Sequence, residues 1–276
     1  MTSALALSLL LAGPTPAKGI QWEKNFDKAM ALAQKHDKPI LVDFWANWCG
    51  WCHRLDRTTY VDPVVGAKAD NFVSVKVNTE GNRREVEVVD TYQVHNLPTI
   101  LFLTPRGRQV MRVNGFQGPG RFPHTMDKAL EAARRVSAWE ESLERDAHDP
   151  AALFALGEHL FDQECYDESY DLLSLAAAHD RHRPSHERRR TRMLLAILQH
   201  VQRQYAEAET IIKEALSIDP KAPDQPQLLF ILGRTYVQWG RHAEGVQTMQ
   251  VIVREHPQSP IAQKARETLF ILVRKS

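Results

Sequence analysis

The stretch that most restricts the fold is "ILVDFWANWCGWC", Ile40 to Cys52, an apolar, β-branched and aromatic run interrupted by one carboxylate and closed by two cysteines. "ILVDFWA" reads as a buried strand. The chain from Gly50 to Tyr60 reads as a helix that begins at the cysteines. A thiol on the first turn of a helix meets unpaired backbone N–H groups and the positive end of the dipole, which favour thiolate over thiol. Cys49 is therefore the expected nucleophile. Cys52 sits one turn further in, close enough to attack a mixed disulfide on Cys49 and shielded from other partners. The same residues satisfy a second pattern: Cys49-Gly50-Trp51-Cys52-His53 is the spacing of covalent haem attachment, with His53 as axial ligand. A metal knuckle would need another Cys or His pair at ligand spacing, and none stands near by.

The surrounding segments alternate in type. Trp22, Phe26, Met30 and Ala33 fall on one helical face, which ends at "KHDKP". "FVSVKVN" (72–78) reads as a strand, "RREVEVVDTYQ" as a helix and "TILFLT" (99–104) as a strand directly after Pro98. "PRGR" is a turn leading to "QVMRVNGF", and "HTMDKALEAARRV" closes the unit as a helix. This alternation predicts an α/β sandwich. A carboxylate in an apolar strand is costly unless paired or protonated, so Asp43 is expected to have a raised pKa and to take the proton of Cys52; a structural ion pair with Lys76 is the other reading.

"ILVDFWANWCGWC", then "VSVKVN", then "NLPTILFL" resembles the thioredoxin family over roughly residues 20–136, and more narrowly the C-terminal domain of bacterial thiol:disulfide interchange proteins. The resemblance implies a redox-active dithiol at Cys49 and Cys52 in place of haem, with no cofactor. Asp43 takes the place of the family's buried carboxylate and Lys76 that of the lysine able to pair with it. Trp48 is the aromatic before the first cysteine. Pro98 matches the cis-proline facing the dithiol, so Leu97, Pro98 and Trp51 are expected to meet the client chain, with His53 exposed on the helix. Gly50-Trp51 replaces the usual Gly-Pro, which bears on the reduction potential and leaves the direction of electron flow open.

After about Ala138 the pattern changes. Strand signals vanish, and "LG" at 156–157, "LA" at 195–196 and "LG" at 232–233 mark a repeat. Thirteen positions after each leucine stands a small residue, Ser169, Ala208 and Gly245, and twenty after it Ala176, Ala215 or Ile252, with Pro220 and Pro257 stopping the last two units. Small residues let two helices approach, and proline ends the second. This resembles the tetratricopeptide repeat, with loops lengthened at "RHRPSHERR" and "KAPDQ" and a capping helix at the end. Cys165 is expected as a packing cysteine inside a helix. The arginines from Arg181 to Arg192 are expected to form a solvated loop between repeats. The expected domains are thus a thioredoxin-like unit over 18–137, a linker over 138–149 and repeats over 150–276.

The apolar run Ala4 to Ala12, a Gly13-Pro14 break and small residues to Ala17 read as a signal peptide over 1–17, too short to span a bilayer. A periplasmic or secreted location is expected, with a cytoplasmic one as the alternative. No other segment is apolar and long enough for a membrane span. A formal net charge of +1 gives no global attraction to nucleic acid, and the scattered histidines show no metal-ligand spacing. The expected function is exchange of the Cys49/Cys52 pair with disulfide- or thiol-bearing protein clients and a redox partner protein, with the repeats docking a peptide or protein. The rival is a redox-silent interaction scaffold in the cell envelope.

Overall fold

Asn25 accepts a hydrogen bond from the Lys28 N–H and so caps the first helix, α1 (Phe26–His36), which closes on Asp37 in the left-handed region. The computed structural model describes residues 19–275, with side chains to Leu272, so the apolar run Ala4 to Ala12 lies outside the described residues. Two units are distinguished, Met1–Ser137 and Ala138–Ser276.

In the first unit α1 leads to β1 (Ile40–Trp45), α2 (Gly50–Arg54), a π-helical turn (Leu55–Thr59), α3 (Pro63–Ala69), β2 (Val73–Asn78), α4 (Arg83–Thr91), β3 (Thr99–Leu103), β4 (Gln109–Asn114) and α5 (Phe122–Arg145). The strands form one sheet in the order β2-β1-β3-β4, with β1 parallel to β2 and antiparallel to β3, and β3 antiparallel to β4. Strand periodicity divides β1 between two faces. Ile40, Val42 and Phe44 join Val75, Val77, Leu101 and Leu103 against Phe26, Ala29 and Ala33 of α1 and Val88 of α4. The other face carries Phe102, whose ring lies 6.3 Å from Phe122 of α5, and Phe122 in turn lies 5.9 Å from Tyr60. Each fully buried large side chain here contributes about 1.5–3 kcal/mol. Asp43 stands on this second face.

Four details depart from the sequence-based expectation. Trp22 is not on α1: the segment before Asn25 is extended, and Glu23 bridges Val75 as a short parallel edge. The helix expected from Gly50 to Tyr60 changes to π-type after Arg54. Helix α3, begun by the Asp62 cap and Pro63 at its first turn, went unread although Asp-Pro is a helix-start signal. The division between the units falls inside α5, so residues 138–145 of the expected linker are helical and the non-helical connection is 146–149.

The second unit continues with α6 (Pro150–Asp162), α7 (Tyr166–His179), α8 (Ser185–Val201), α9 (Tyr205–Ile218), α10 (Gln225–Gln238), α11 (His242–Glu255) and α12 (Pro260–Lys275). Successive helices pair as α6 with α7, α8 with α9 and α10 with α11, and α12 packs on α11. The repeat positions are the buried ones: Leu156, Ser169 and Ala176, then Leu195, Ala208 and Ala215, then Leu232, Gly245 and Ile252. Ser169 donates to the Gly157 carbonyl at 2.7 Å, so the hydroxyl is satisfied inside the helix pair. Helices α9 and α11 stop shortly before Pro220 and Pro257.

Two expectations are corrected here. The arginine run is not a solvated loop, because α8 begins at Ser185 and Arg189 is fully buried. Its guanidinium binds Asp224 and the carbonyls of Ala215 (2.8 Å) and Asp219 (2.7 Å), while Arg192 pairs with Asp180 and Glu214. These arginines tie one repeat to the next. Cys165 lies at the turn before α7, not inside a helix, half-buried with its thiol directed to the Gln163 carbonyl.

Candidate active site

The sheet register brings four chain segments to one end. Trp45 at the end of β1 is opposite Asn78 at the end of β2; Phe44 is opposite Thr99 at the start of β3, and Thr99 is opposite Asn114 at the end of β4. The cysteines follow β1, Glu80 follows β2, Pro98 precedes β3 and Phe116 follows β4. Loops at the end of a rigid sheet are where reactive groups are both held and reachable.

Cys49 and Cys52 are joined by a disulfide. Cys49 is the N-cap of α2, and its sulfur accepts the Cys52 backbone N–H at 3.1 Å. The same N–H is placed to stabilise a Cys49 thiolate once the disulfide is reduced. Cys49 is 4% exposed and Cys52 0%. Both cysteines are therefore buried in the disulfide form, and Cys49 is the one at the helix start. Trp48 and Trp51 flank the pair and stand open to solvent, 68% and 54% exposed. The Trp48 indole donates to Glu80 at 2.7 Å, and the Trp51 ring lies 5.5 Å from that of Phe116. His53 is half-buried instead of exposed, with Nε2 2.9 Å from the Asn47 carbonyl.

The Leu97–Pro98 peptide is cis, and the Pro98 carbonyl accepts the Gly115 N–H at 2.8 Å. Leu97 is half-buried and precedes the ladder that begins at Thr99.

Asp43 is fully buried, as the apolar strand required. Lys76, its register partner on β2, donates to Oδ2 at 2.7 Å, and the Tyr60 hydroxyl donates to Oδ1 at 2.9 Å. Lys76 also donates to Asp56 at 2.6 Å. Its Nζ lies 5.1 Å from the Trp22 ring centroid, 5.3 Å from Tyr60 and 5.8 Å from Trp45. Burial pushes the Asp43 pKa up; Lys76 and Tyr60 pull it down without offsetting the burial. Partial burial works against the Lys76 charge, but Asp43 and Asp56 outweigh it and raise the pKa. Tyr60 is held well above its ordinary value by burial and by the adjacent Asp43 carboxyl.

Of the residues expected from the sequence, the dithiol, Trp48, Trp51 and Pro98 thus lie at one end of the sheet, and Asp43 and Lys76 face each other across β1 and β2. The sequence reading missed Tyr60, Asp56, Arg54, Phe116 and the placement of Trp22. Asp56 was accessible, since it stands four residues after Cys52 on the same helical stretch. Tyr60 was not, because the π-turn resets the side-chain phase before it.

The thioredoxin-like family model matches residues 21–105, and the tetratricopeptide repeat model matches residues 201–269. The chain is similar to the thiol:disulfide interchange protein DsbD of Vibrio vulnificus strain CMCP6, 32% identical over 117 residues, 41% of this chain and 18% of that protein. The DsbD of Salmonella typhimurium strain LT2 is 37% identical over 95 residues, 33% of this chain and 17% of that protein. The chain therefore spans less than a fifth of the length of these curated relatives. A solved structure titled "DsbH Oxidoreductase" is 21% identical with a TM-score of 0.39, covering 48% of this chain and 95% of its own. With the disulfide seated at a helix start beside a sheet of this order, the chain carries a thioredoxin-like domain, related to those of DsbD proteins, followed by tetratricopeptide repeats.

Proposed function

We propose that the protein is a thiol-disulfide oxidoreductase whose Cys49/Cys52 pair exchanges with protein clients. The observation that carries this reading is the Cys49–Cys52 disulfide at the start of α2, with the Cys49 sulfur on a backbone N–H and Asp43 buried on β1, the strand that leads to the dithiol. In the reducing direction the Cys49 thiolate attacks one sulfur of a client disulfide, forming a mixed disulfide and releasing the other client sulfur as thiolate. Cys52 then loses its proton to Asp43, whose raised pKa suits it to accept one, and attacks the Cys49 sulfur. The products are the Cys49–Cys52 disulfide and a dithiol client. A redox partner protein returns two electrons to the pair, and the same steps in reverse oxidise a client.

Leu97 and Pro98, with Trp51, hold the client chain at the dithiol. The repeats dock a partner. In their favour stands a cleft of about 450 Å³ in the second unit, lined by Ile197, His200, Tyr205, Phe230 and Arg234 among others. Action outside the cytosol, in the periplasm or after secretion, is supported by the leader-like run from Ala4 to Ala12. No described helix is long and apolar enough to cross a membrane.

Reduction of insulin disulfides with a chemical reductant tests the activity. Wild type accelerates precipitation of the freed chain, and Cys49→Ser removes the acceleration. A wild type no faster than the Cys49→Ser variant would refute the reading.

A further inference from the structure

Arg54 stands one helical turn after Trp51, and its guanidinium carbon lies 5.1 Å from the centroid of the Trp51 ring and 5.0 Å from that of Phe116. The two rings touch each other, 5.5 Å apart and tilted by 41°. Arg54 is exposed, and among the described residues no carboxylate or carbonyl engages its guanidinium. The rings therefore hold the cation in place without neutralising it, leaving its N–H donors open at the edge.

Asp56, the one carboxylate between Gly50 and Thr59, is occupied by Lys76. Arg57 is a second exposed cation on the same stretch. The sheet order sharpens the contrast, because β2 and β4 are its two edges. Glu80, just past β2, is bonded to Trp48, whereas Phe116, just past β4, carries Arg54. The rim around the dithiol is acidic towards β2 and cationic towards β4.

We propose that Arg54 is a specificity-determining residue for the exchange, binding an Asp or Glu side chain of the client segment that lies over Trp51 and Phe116 while a client cysteine reacts at Cys49. This rests on the thiol-exchange reading above. Guanidinium meets carboxylate through two parallel N–H···O bonds, and a guanidinium already stacked on rings loses less freedom on binding than a free side chain. A basic residue in the same client position is repelled. The interaction is made at the surface, so it is screened by salt.

The test uses reduced full-length protein and three disulfide-linked peptide homodimers whose cysteine is flanked by Asp, Asn or Lys. Each second-order rate is divided by the rate of the same peptide with uncharged dithiothreitol, which removes differences in intrinsic reactivity. Wild type should favour the Asp peptide over the Lys peptide by about fivefold, the factor that roughly 1 kcal/mol makes, and 1 M NaCl should shrink the ratio. Arg54→Glu should reverse the order, and Arg54→Lys should keep its direction. A structural role for Arg54 would change all three rates together and leave the ratio unmoved. Activity on the Asn peptide with equal Asp and Lys rates, or an Asp preference that survives Arg54→Glu, would overturn the proposal alone. Inactivity on all three peptides would overturn the thiol-exchange reading and this proposal with it.

Discussion

Lys76 lies directly across the β1–β2 pair from Asp43 and bonds two carboxylates at once, Asp43 at 2.7 Å and Asp56 at 2.6 Å. The buried acid therefore shares its counter-ion. Burial outweighs Lys76 and Tyr60 at Asp43, and the like charge of Asp56 adds to it, so the pKa stays raised.

A carboxyl with a higher pKa in the folded protein than in the unfolded chain reduces stability above its folded pKa. That loss is relieved as pH falls towards the ordinary value of 3.8. Asp43→Asn should therefore raise Tm at pH 7, and the advantage should vanish below about pH 3.8. Lys76 keeps Asp56 in the variant, so no cation is stranded. Resolution of the mixed disulfide should slow, by roughly 10²-fold if Asp43 is the general base. Thermal unfolding of both proteins from pH 3 to 8, with a stopped-flow measure of resolution, checks the pair of effects. A lower Tm at pH 7 would show that Asp43 serves the fold as an ion pair.

The two cysteines should differ in trapping. Cys49 caps the helix and its sulfur has the backbone donor, while Cys52 is fully enclosed. Cys52→Ala should accumulate mixed disulfides with clients on non-reducing gels, and Cys49→Ala should accumulate none. Alkylation of the reduced protein at mildly acidic pH should label Cys49 ahead of Cys52 and Cys165. Adducts formed through Cys52 would reverse the assignment.

Glu209 of α9 anchors the next repeat. Lys213 donates to it at 2.6 Å, the Tyr236 hydroxyl of α10 at 2.7 Å and Arg241, just before α11, at 2.6 Å. Burial pushes its carboxyl up, but these three bonds prevail and hold it at about 2. A depressed pKa contributes stability that is present above the ordinary value of 4.5 and lost as pH falls through about 2. Glu209→Gln should cost roughly 1–2 kcal/mol at neutral pH, and the deficit should narrow between pH 4.5 and 2. Urea unfolding at several pH values measures it. A deficit that does not change with pH would mean that the carboxylate charge contributes nothing.

What the sequence revealed followed from whether a residue's partner lies in its own element. The strand around Asp43, the helix start at Cys49 and the small residues at Ser169, Ala208 and Gly245 are local patterns, and all were readable. Arg189 was misread because charge density on a segment says nothing of the Asp224 carboxylate and the Ala215 and Asp219 carbonyls that make its burial tolerable. Trp22 was misplaced because its spacing to Phe26 fits a helix, whereas Asn25 caps the helix after it. One repeat signal was present but silent. Glu164, Arg203 and Gly240 occupy equivalent turns, each with positive φ and followed by an N–H bonded back to the preceding helix, yet only one of them is glycine. Left-handed backbone at a charged residue leaves no compositional trace.

The close approach of α10 and α11 gives a test in which two glycines should behave differently. A Cβ added at Gly233 would meet the Met249 Cε at 2.8 Å, the far end of a flexible side chain. One added at Gly245 would meet the Val237 Cγ2 at 2.6 Å and the Gly233 carbonyl oxygen at 3.1 Å. Valine has a stiff χ1, and the carbonyl belongs to the facing helix backbone, so neither yields without moving α10 from α11. Alanine also favours a helix over glycine by about 0.8–1 kcal/mol. At Gly233 that gain should roughly balance the displacement of Met249, and Gly233→Ala should change stability by less than about 1 kcal/mol. At Gly245 overpacking should win, and Gly245→Ala should destabilise by about 1–3 kcal/mol. Chemical unfolding followed by far-ultraviolet circular dichroism compares them. A Gly245→Ala protein as stable as Gly233→Ala would show that the helix pair has slack that this packing denies.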